Sequence, residues 1–317
     1  MPKVSFVVAT YNREDYVENT IRSMLEQSYE DFEVVIIDDC STDRTFDVVL
    51  KYENDPRVSV YRNQINIGLT KSLIKAISHT SGEYIAYVDA GDECMPQRLE
   101  QQVRYLDNNP DVGAVGSWVE LCSISRNFTE IVQLDAGDNP AEKLLRTSFF
   151  WHSEVTFRRS VYDRVGGYRD LFYYSQDNDL WLRMSEVSRL CVIPKVLQRI
   201  YKFEGGISTT PEKFLLARTF RNFAVFCAKE RRKGNPDPVR RFGAPSVFLR
   251  PRSKELAEIL AMDGIKLMIR GNRESGRWVI NRSLNEMKTW KTVSVYVLSL
   301  IPGLPLLKSV KKAVLQY

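Results

Sequence analysis

Three apolar runs, each ending in a polar turn, constrain this chain more than any other feature. Val4-Ser5-Phe6-Val7-Val8-Ala9 runs into Thr10-Tyr11-Asn12. Glu33-Val34-Val35-Ile36-Ile37 runs into Asp38-Asp39-Cys40-Ser41, and Tyr84-Ile85-Ala86-Tyr87-Val88 into Asp89-Ala90-Gly91-Asp92. Strands buried on both faces read as continuous apolar runs, and open parallel sheets bind ligands beyond the carboxyl ends of their strands. The three turns deliver carboxylates and amides to one sheet edge, which suits a nucleotide-sugar.

The 317 residues are enough for one large core or two smaller ones, and 44% apolar content marks a folded chain. Five cysteines, at 40, 94, 122, 191 and 227, are scattered with no C-x-x-C pair, and only two histidines accompany them. That pattern argues against a structural zinc site and a disulfide framework, and it predicts a reducing compartment. Met1 leads straight into a strand without a basic leader and apolar h-region, so a cytoplasmic location is expected.

Charge is uneven. Residues 1–217 carry 24 Lys and Arg against 33 Asp and Glu, net −9, whereas residues 218–317 carry 21 against 7, net +14. Gly205-Gly206 and Pro211 punctuate the change. The basic third suits an anionic membrane face or a solvated surface. Nucleic acid is disfavoured, because no zinc finger, aromatic RNA-binding motif or recognition-helix pattern accompanies the charge.

Periodicity predicts helices over 16–27, 69–77 and 96–106 and strands over 58–61 and 112–119. Strand-bearing segments are expected over 149–157 and 190–200, around a short helix from Asp179 to Val187. From about 212 the pattern turns helical: 214–232, 253–270 and a basic helix near 282–292. The fold class is therefore α/β with a mixed sheet and a mainly helical, basic C-terminal region.

Asp38 and Asp39 follow a buried strand, where a charge is costly unless it meets solvent or a ligand. Turn chemistry alone also explains them, since Asp and Ser favour turns. Asp89 and Asp92 can hold a hard divalent cation that neutralises a departing diphosphate, or simply cap the next helix. Asp177 lies just ahead of the Asp179–Val187 helix and suits a general base; helix capping is the plain alternative. Trp151 and Tyr168 can stack on a sugar or serve as core. Arg158 and Arg159 reach phosphates or face water.

The chain resembles bacterial family 2 glycosyltransferases with the GT-A fold. The resemblance rests on V-S-F-V-V-A-T-Y-N-R (4–13), D-D-C-S-T-D (38–43), N-I-G-L-T-K-S-L-I-K-A-I (66–77), the run from Gly82 to Leu99 that holds D-A-G-D, F-R-R-S-V-Y-D-R-V-G-G-Y (157–168) and Q-D-N-D-L-W-L-R-M (176–184). It spans about residues 1–210. It implies a catalytic domain over 1–210, with a nucleotide-binding half (1–110) and an acceptor-binding half (111–210), followed by a helical region over 211–317.

The resemblance further implies an inverting transferase that takes a UDP- or dTDP-sugar and passes the sugar to a hydroxyl of a surface glycan or lipid-linked saccharide. Thr10, Tyr11, Asn12, Arg13, Asp38, Asp39, Asn66, Lys71 and Asp89 would hold the nucleotide. Asp89 and Asp92 would hold Mn2+ or Mg2+. Asp177 would be the base, and His152, Trp151 and Gln176 would line the acceptor or diphosphate region. Three departures stand out, one being that no His stands near Lys202–Gly205, where the family often carries one. Gly91 replaces a carboxylate that usually faces the metal in D-x-D-D, which lowers the expectation of a metal. Gln176 replaces a usual Glu. Both keep a silent nucleotide- or glycan-binding scaffold in view. A nucleotidyltransferase is the other rival, but Ala9-Thr10-Tyr11-Asn12-Arg13 is not its Gly-rich loop.

At the end of the chain, 293–307 is apolar but too short, and too rich in Pro and Gly, to span a bilayer. Lys308, Lys311 and Lys312 follow. Peripheral contact with the inner membrane face and a homodimer are the two expectations for this tail.

Overall fold

A computed structural model describes residues 1–123, 128–202, 210–269 and 271–300. It divides into two units, Met1–Glu204 and Gly205–Tyr317.

In the first unit the apolar runs become the central strands. Strand β1 (Val4–Thr10) is buried along its whole length. Helix α1 (Val17–Leu25) buries Val17, Ile21 and Met24, one helical face, against the sheet. Then come β2 (Phe32–Asp38), α2 (Thr45–Leu50), β3 (Val58–Arg62), α3 (Leu69–Ser78) and β4 (Tyr84–Tyr87). Strands β1 to β4 are parallel, ordered β3-β2-β1-β4. The carboxyl ends of β1, β2 and β4 therefore share one edge.

The second half of this unit extends the same sheet. It adds β5 (Glu93–Cys94), α4 (Arg98–Asn108), β6 (Val112–Ser123), β7 (Phe128–Val132), α5 (Pro140–Arg146), β8 (Thr156–Arg158), α6 (Arg159–Arg164), α7 (Gln176–Met184) and β9 (Arg189–Lys202). Strand β8 pairs antiparallel with both β4 and β6, and β6 runs parallel to β9, so the sheet is mixed. Because β8 opposes β4, the residues just before β8 lie at the edge where β4 ends.

Several expectations need correction. Of the 149–157 segment only Thr156 and Phe157 are strand, the start of Thr156–Arg158; a 3-10 turn over His152–Glu154 precedes it. Helix α7 starts at Gln176, so Asp177 stands in its first turn rather than ahead of it. Ser175, left-handed at φ +56°, turns the chain into that helix.

The second unit is helical. It holds α8 (Pro211–Arg232), α9 (Pro238–Phe242), α10 (Lys254–Ile269), α11 (Arg273–Glu286) and α12 (Trp290–Leu300). The expected helix near 282–292 is broken: α11 stops at Glu286 and α12 starts at Trp290. Thr289 and Thr292 make the break by exchange. Thr289 N donates to Thr292 Oγ1 at 2.8 Å, and Thr292 N to Thr289 Oγ1 at 3.1 Å, which satisfies amides that a new helix start leaves orphaned. The lysines of the tail lie outside the described residues.

Candidate active site

The loops after β1 and β2 are stitched together. Asn12 N donates to Ser41 Oγ at 3.0 Å, Arg13 N to Thr45 Oγ1 at 2.6 Å, and Thr42 N to Asn12 Oδ1 at 2.9 Å. The Asn12 side chain therefore holds the second loop. Arg13 Nη1 turns back to Asn12 O at 3.0 Å. Tyr11 is exposed.

Asp38 and Asp39 are both buried. Asp38 Oδ2 accepts from Ser41 N at 3.0 Å and pairs with Arg62 Nε at 3.3 Å, while Oδ1 is buried without a partner. Thr10 Oγ1 is buried and unpartnered too. Asp39 closes the loop that leads into α3: Oδ1 accepts from Asn63 Nδ2 and Ile67 N, both at 2.9 Å, and Oδ2 from Gly68 N at 2.8 Å. Gly68, at φ +85°, makes that turn. Asn63 organises the same corner by also donating to Ser72 Oγ and accepting from Lys75 Nζ. Asn66 and Lys71 are exposed beside it.

Asp89 and Asp92 part ways. Asp89 is half-buried and accepts at Oδ1 from Tyr87 OH; its Oδ2 carries no hydrogen bond among the described residues. Asp92 is buried and accepts from Tyr201 N at 3.0 Å. Burial, and then the charge of Asp89, pushes the Asp92 carboxyl well above its ordinary range. Gly91 between them has φ +120°, a conformation side chains resist.

Beneath this turn lies Arg98, fully buried, which composition and periodicity did not single out. It donates from Nη1 to Ser153 O at 2.9 Å and Gln198 Oε1 at 2.6 Å, from Nη2 to Tyr87 O at 3.0 Å and from Nε to Gln102 Oε1 at 3.1 Å. Ser153 Oγ in turn accepts from Asp89 N at 3.0 Å. One guanidinium thus ties the end of β4, the His152–Glu154 turn and β9 together.

That turn sets the far wall. His152 is left-handed at φ +25° and buried. Its ring stacks on Tyr87 with centroids 3.8 Å apart, and Nε2 lies 2.6 Å from Tyr168 OH. Burial lowers the His152 pKa, while the charges of Asp177 and then Asp89 oppose the shift. His152 therefore sits within the field of both carboxylates. Glu154, wholly buried, accepts from Trp151 N at 3.0 and 3.1 Å; burial pushes it up to about 8. Trp151 is half-buried, with Lys202 Nζ 5.9 Å from its ring. Tyr168 is a core residue.

On α7, Asp177 is half-exposed and accepts from Asn178 Nδ2 at 3.0 Å. Gln176 is buried. Asp179 is structural: its Oδ2 binds Arg183 Nη2 at 2.7 Å and Arg169 Nε at 3.2 Å. Thr70 Oγ1 on α3 donates to Phe172 O at 2.6 Å, which ties the loop before α7 to α3. Arg158 and Arg159 neither reach a phosphate site nor simply face water. Arg158 donates to Leu106 O and Val112 O, and Arg159 to Gly82 O and Thr80 Oγ1.

Asp89 Oδ2 is a carboxylate oxygen without a hydrogen bond among the described residues at this edge. Among the described residues no three His, Cys, Asp or Glu side chains cluster to hold a metal. The donor set fits a cation that arrives with a diphosphate, which needs only one or two protein carboxylates. It does not fit a cage built of protein alone. Asp92, expected on the metal beside Asp89, is buried and accepts at Oδ1 from Tyr201 N.

Comparison with known proteins gives the same picture. The model of Glycosyl transferase family 2 matches residues 5–166. O-antigen biosynthesis glycosyltransferase WbnJ of Escherichia coli is 32% identical over 189 residues, 57% of this chain and 71% of WbnJ. S. aureus TarS in complex with UDP-GlcNAc superposes with a TM-score of 0.60 at 19% identity, covering 99% of this chain and 88% of that one. Mannosyltransferase PcManGT from Pyrobaculum calidifontis, in complex with GDP-Man and Mn2+, gives 0.55 at 17% identity, covering 99% and 85%. The fold is that of the GT-A glycosyltransferases, and the nucleotidyltransferase alternative is set aside. This chain belongs to glycosyltransferase family 2.

Proposed function

We propose that the enzyme transfers a sugar, with inversion, from a UDP- or dTDP-sugar to a hydroxyl of a surface glycan or lipid-linked saccharide. The observation that carries this reading is the placement of Asp89 just past the carboxyl end of β4, where it accepts from Tyr87 OH and Tyr87 stacks on His152; the charges of Asp177 and Asp89 both act on His152. Asp89, two residues past the end of β4, would serve the donor. Asp177, in the first turn of α7, would serve the acceptor. The names of WbnJ and TarS support a glycan acceptor and a uridine donor by analogy alone.

In this reading Thr10, Tyr11 and the loop held by Asp38 and Asp39 receive the base and ribose. The acceptor hydroxyl attacks the anomeric carbon. The bond from that carbon to the phosphate oxygen breaks, and its electron pair leaves with the nucleoside diphosphate. Asp177 takes the acceptor proton, opposite the departing group. His152, locked by Tyr87 and Tyr168, spaces the two carboxylates. A Mn2+ or Mg2+ bound with the diphosphate would rest on Asp89 and supply charge neutralisation for the leaving group.

Calorimetry with UDP, dTDP and GDP, with and without Mn2+, tests the reading. UDP or dTDP should bind, and Mn2+ should bind measurably only when the nucleotide is present. Failure of every diphosphate to bind would overturn both the transferase reading and the alternative of a silent nucleotide-binding scaffold.

A further inference from the structure

The last described helix has one covered face and, opposite it, an exposed apolar one. Thr292, Val295 and Ser299 of α12 are buried, and Val295 packs with Ala261 and Ile265 of α10 and Ile280 of α11. On the other side stand Trp290, 87% exposed, Val293, Val297, 53% exposed, and Leu300. At 100° per residue these four fall within an arc of roughly 80°, with Leu298 exposed at its flank. No Asp or Glu lies in α12; Lys288 and Lys291 flank Trp290 in sequence, and Lys291 Nζ lies 3.8 Å from Glu258 Oε2.

We propose that this face of α12 docks on an anionic lipid bilayer, lying in the interface plane. Charge complementarity selects this occupant: residues 218–317 carry net +14, which attracts acidic headgroups. Tryptophan suits the boundary between headgroups and acyl chains, and lysine stems reach past apolar surface to keep their charge in water. No described helix is long and apolar enough to span a membrane. An amphipathic helix of this kind binds by its apolar face together with lipid charge. The proposal stands apart from the assignment of donor or base, and it deepens the proposed function only by bringing the enzyme to a lipid-linked acceptor.

Co-sedimentation of the full chain with vesicles tests it. Phosphatidylglycerol–phosphatidylcholine vesicles at low salt are compared with pure phosphatidylcholine, for the wild type and for the double variant Trp290→Ala, Val297→Glu. Both positions are exposed, and thermal melting checks that the variant folds. The wild type should pellet with the acidic vesicles and stay in solution with the neutral ones. The bound fraction of the variant should fall by about tenfold or more. A wild type that stays in the supernatant, pellets equally with neutral vesicles, or is matched by its variant would overturn the proposal. So would a wild-type dimer, seen by light scattering, that the variant converts to monomer, since a second copy would then occupy this face.

Discussion

Thr10 and Asp38 are partners in the parallel ladder of β1 and β2, and each ends in a buried oxygen that no hydrogen bond satisfies. Partners in register point to the same face of a sheet. Each orphaned group costs about 1–3 kcal/mol, a cost placed at the edge where nucleotide binding is proposed. Thr10→Val keeps the shape and removes the hydroxyl. Its melting temperature should match or exceed that of the wild type, while UDP affinity should fall by about 3- to 10-fold, the worth of one ordinary hydrogen bond. Calorimetry paired with thermal melting reads both quantities. A variant that is less stable yet binds UDP normally would assign Thr10 to the fold.

Gly91 stands where the resemblance implies a carboxylate, in a backbone conformation that disfavours one. At φ +120°, an aspartate costs about 1–3 kcal/mol in strain. Gly91→Asp should therefore melt roughly 2–10 °C lower. It should gain no affinity for Mn2+ in the absence of nucleotide. Tight binding of the ion by a variant as stable as the wild type would show that the turn accommodates the carboxylate after all.

Stability should depend on pH through Glu154. Its folded carboxyl is raised to about 8 by burial, against an unfolded value near 4.5. The folded state thus binds more protons between those values, so stability is fully present below about 4.5 and is lost as pH rises through about 8. Buried Asp92 is shifted in the same direction. From pH 6 to pH 9 the wild type should lose about 1–3 kcal/mol. Glu154→Gln, which stays neutral, should lose less over the same range. Equal slopes in urea titrations of the two proteins would remove Glu154 from the account.

The strand ends were legible because a buried parallel strand must be apolar throughout, and its first polar residue then marks the edge. Asp38, Asp89 and Thr10 were found that way. Asn63, Arg98 and Glu154 were not, because buried polar hubs leave no periodic trace: each is set by partners distant in sequence. Arg98 reaches Gln198 and Ser153, pairings that no local pattern encodes. The start of α7 was missed because Ser175 enters it in a left-handed conformation, where a β-region cap is usual. The break at 287–289 had a signal, Thr289 three residues before Thr292, which the surrounding helical composition masked.

The central claim is that Asp177 acts on the acceptor proton and not on the donor. Asp177→Asn nearly preserves shape and removes basicity. The decisive measurement is sugar transfer by this variant alongside its affinity for UDP. Transfer should fall by about 10²- to 10⁴-fold, with UDP affinity within about twofold of wild type, because an interaction confined to the transition state leaves ground-state binding intact. A folded variant that keeps more than about a tenth of wild-type transfer, or that loses UDP binding in proportion to its activity, would contradict the account.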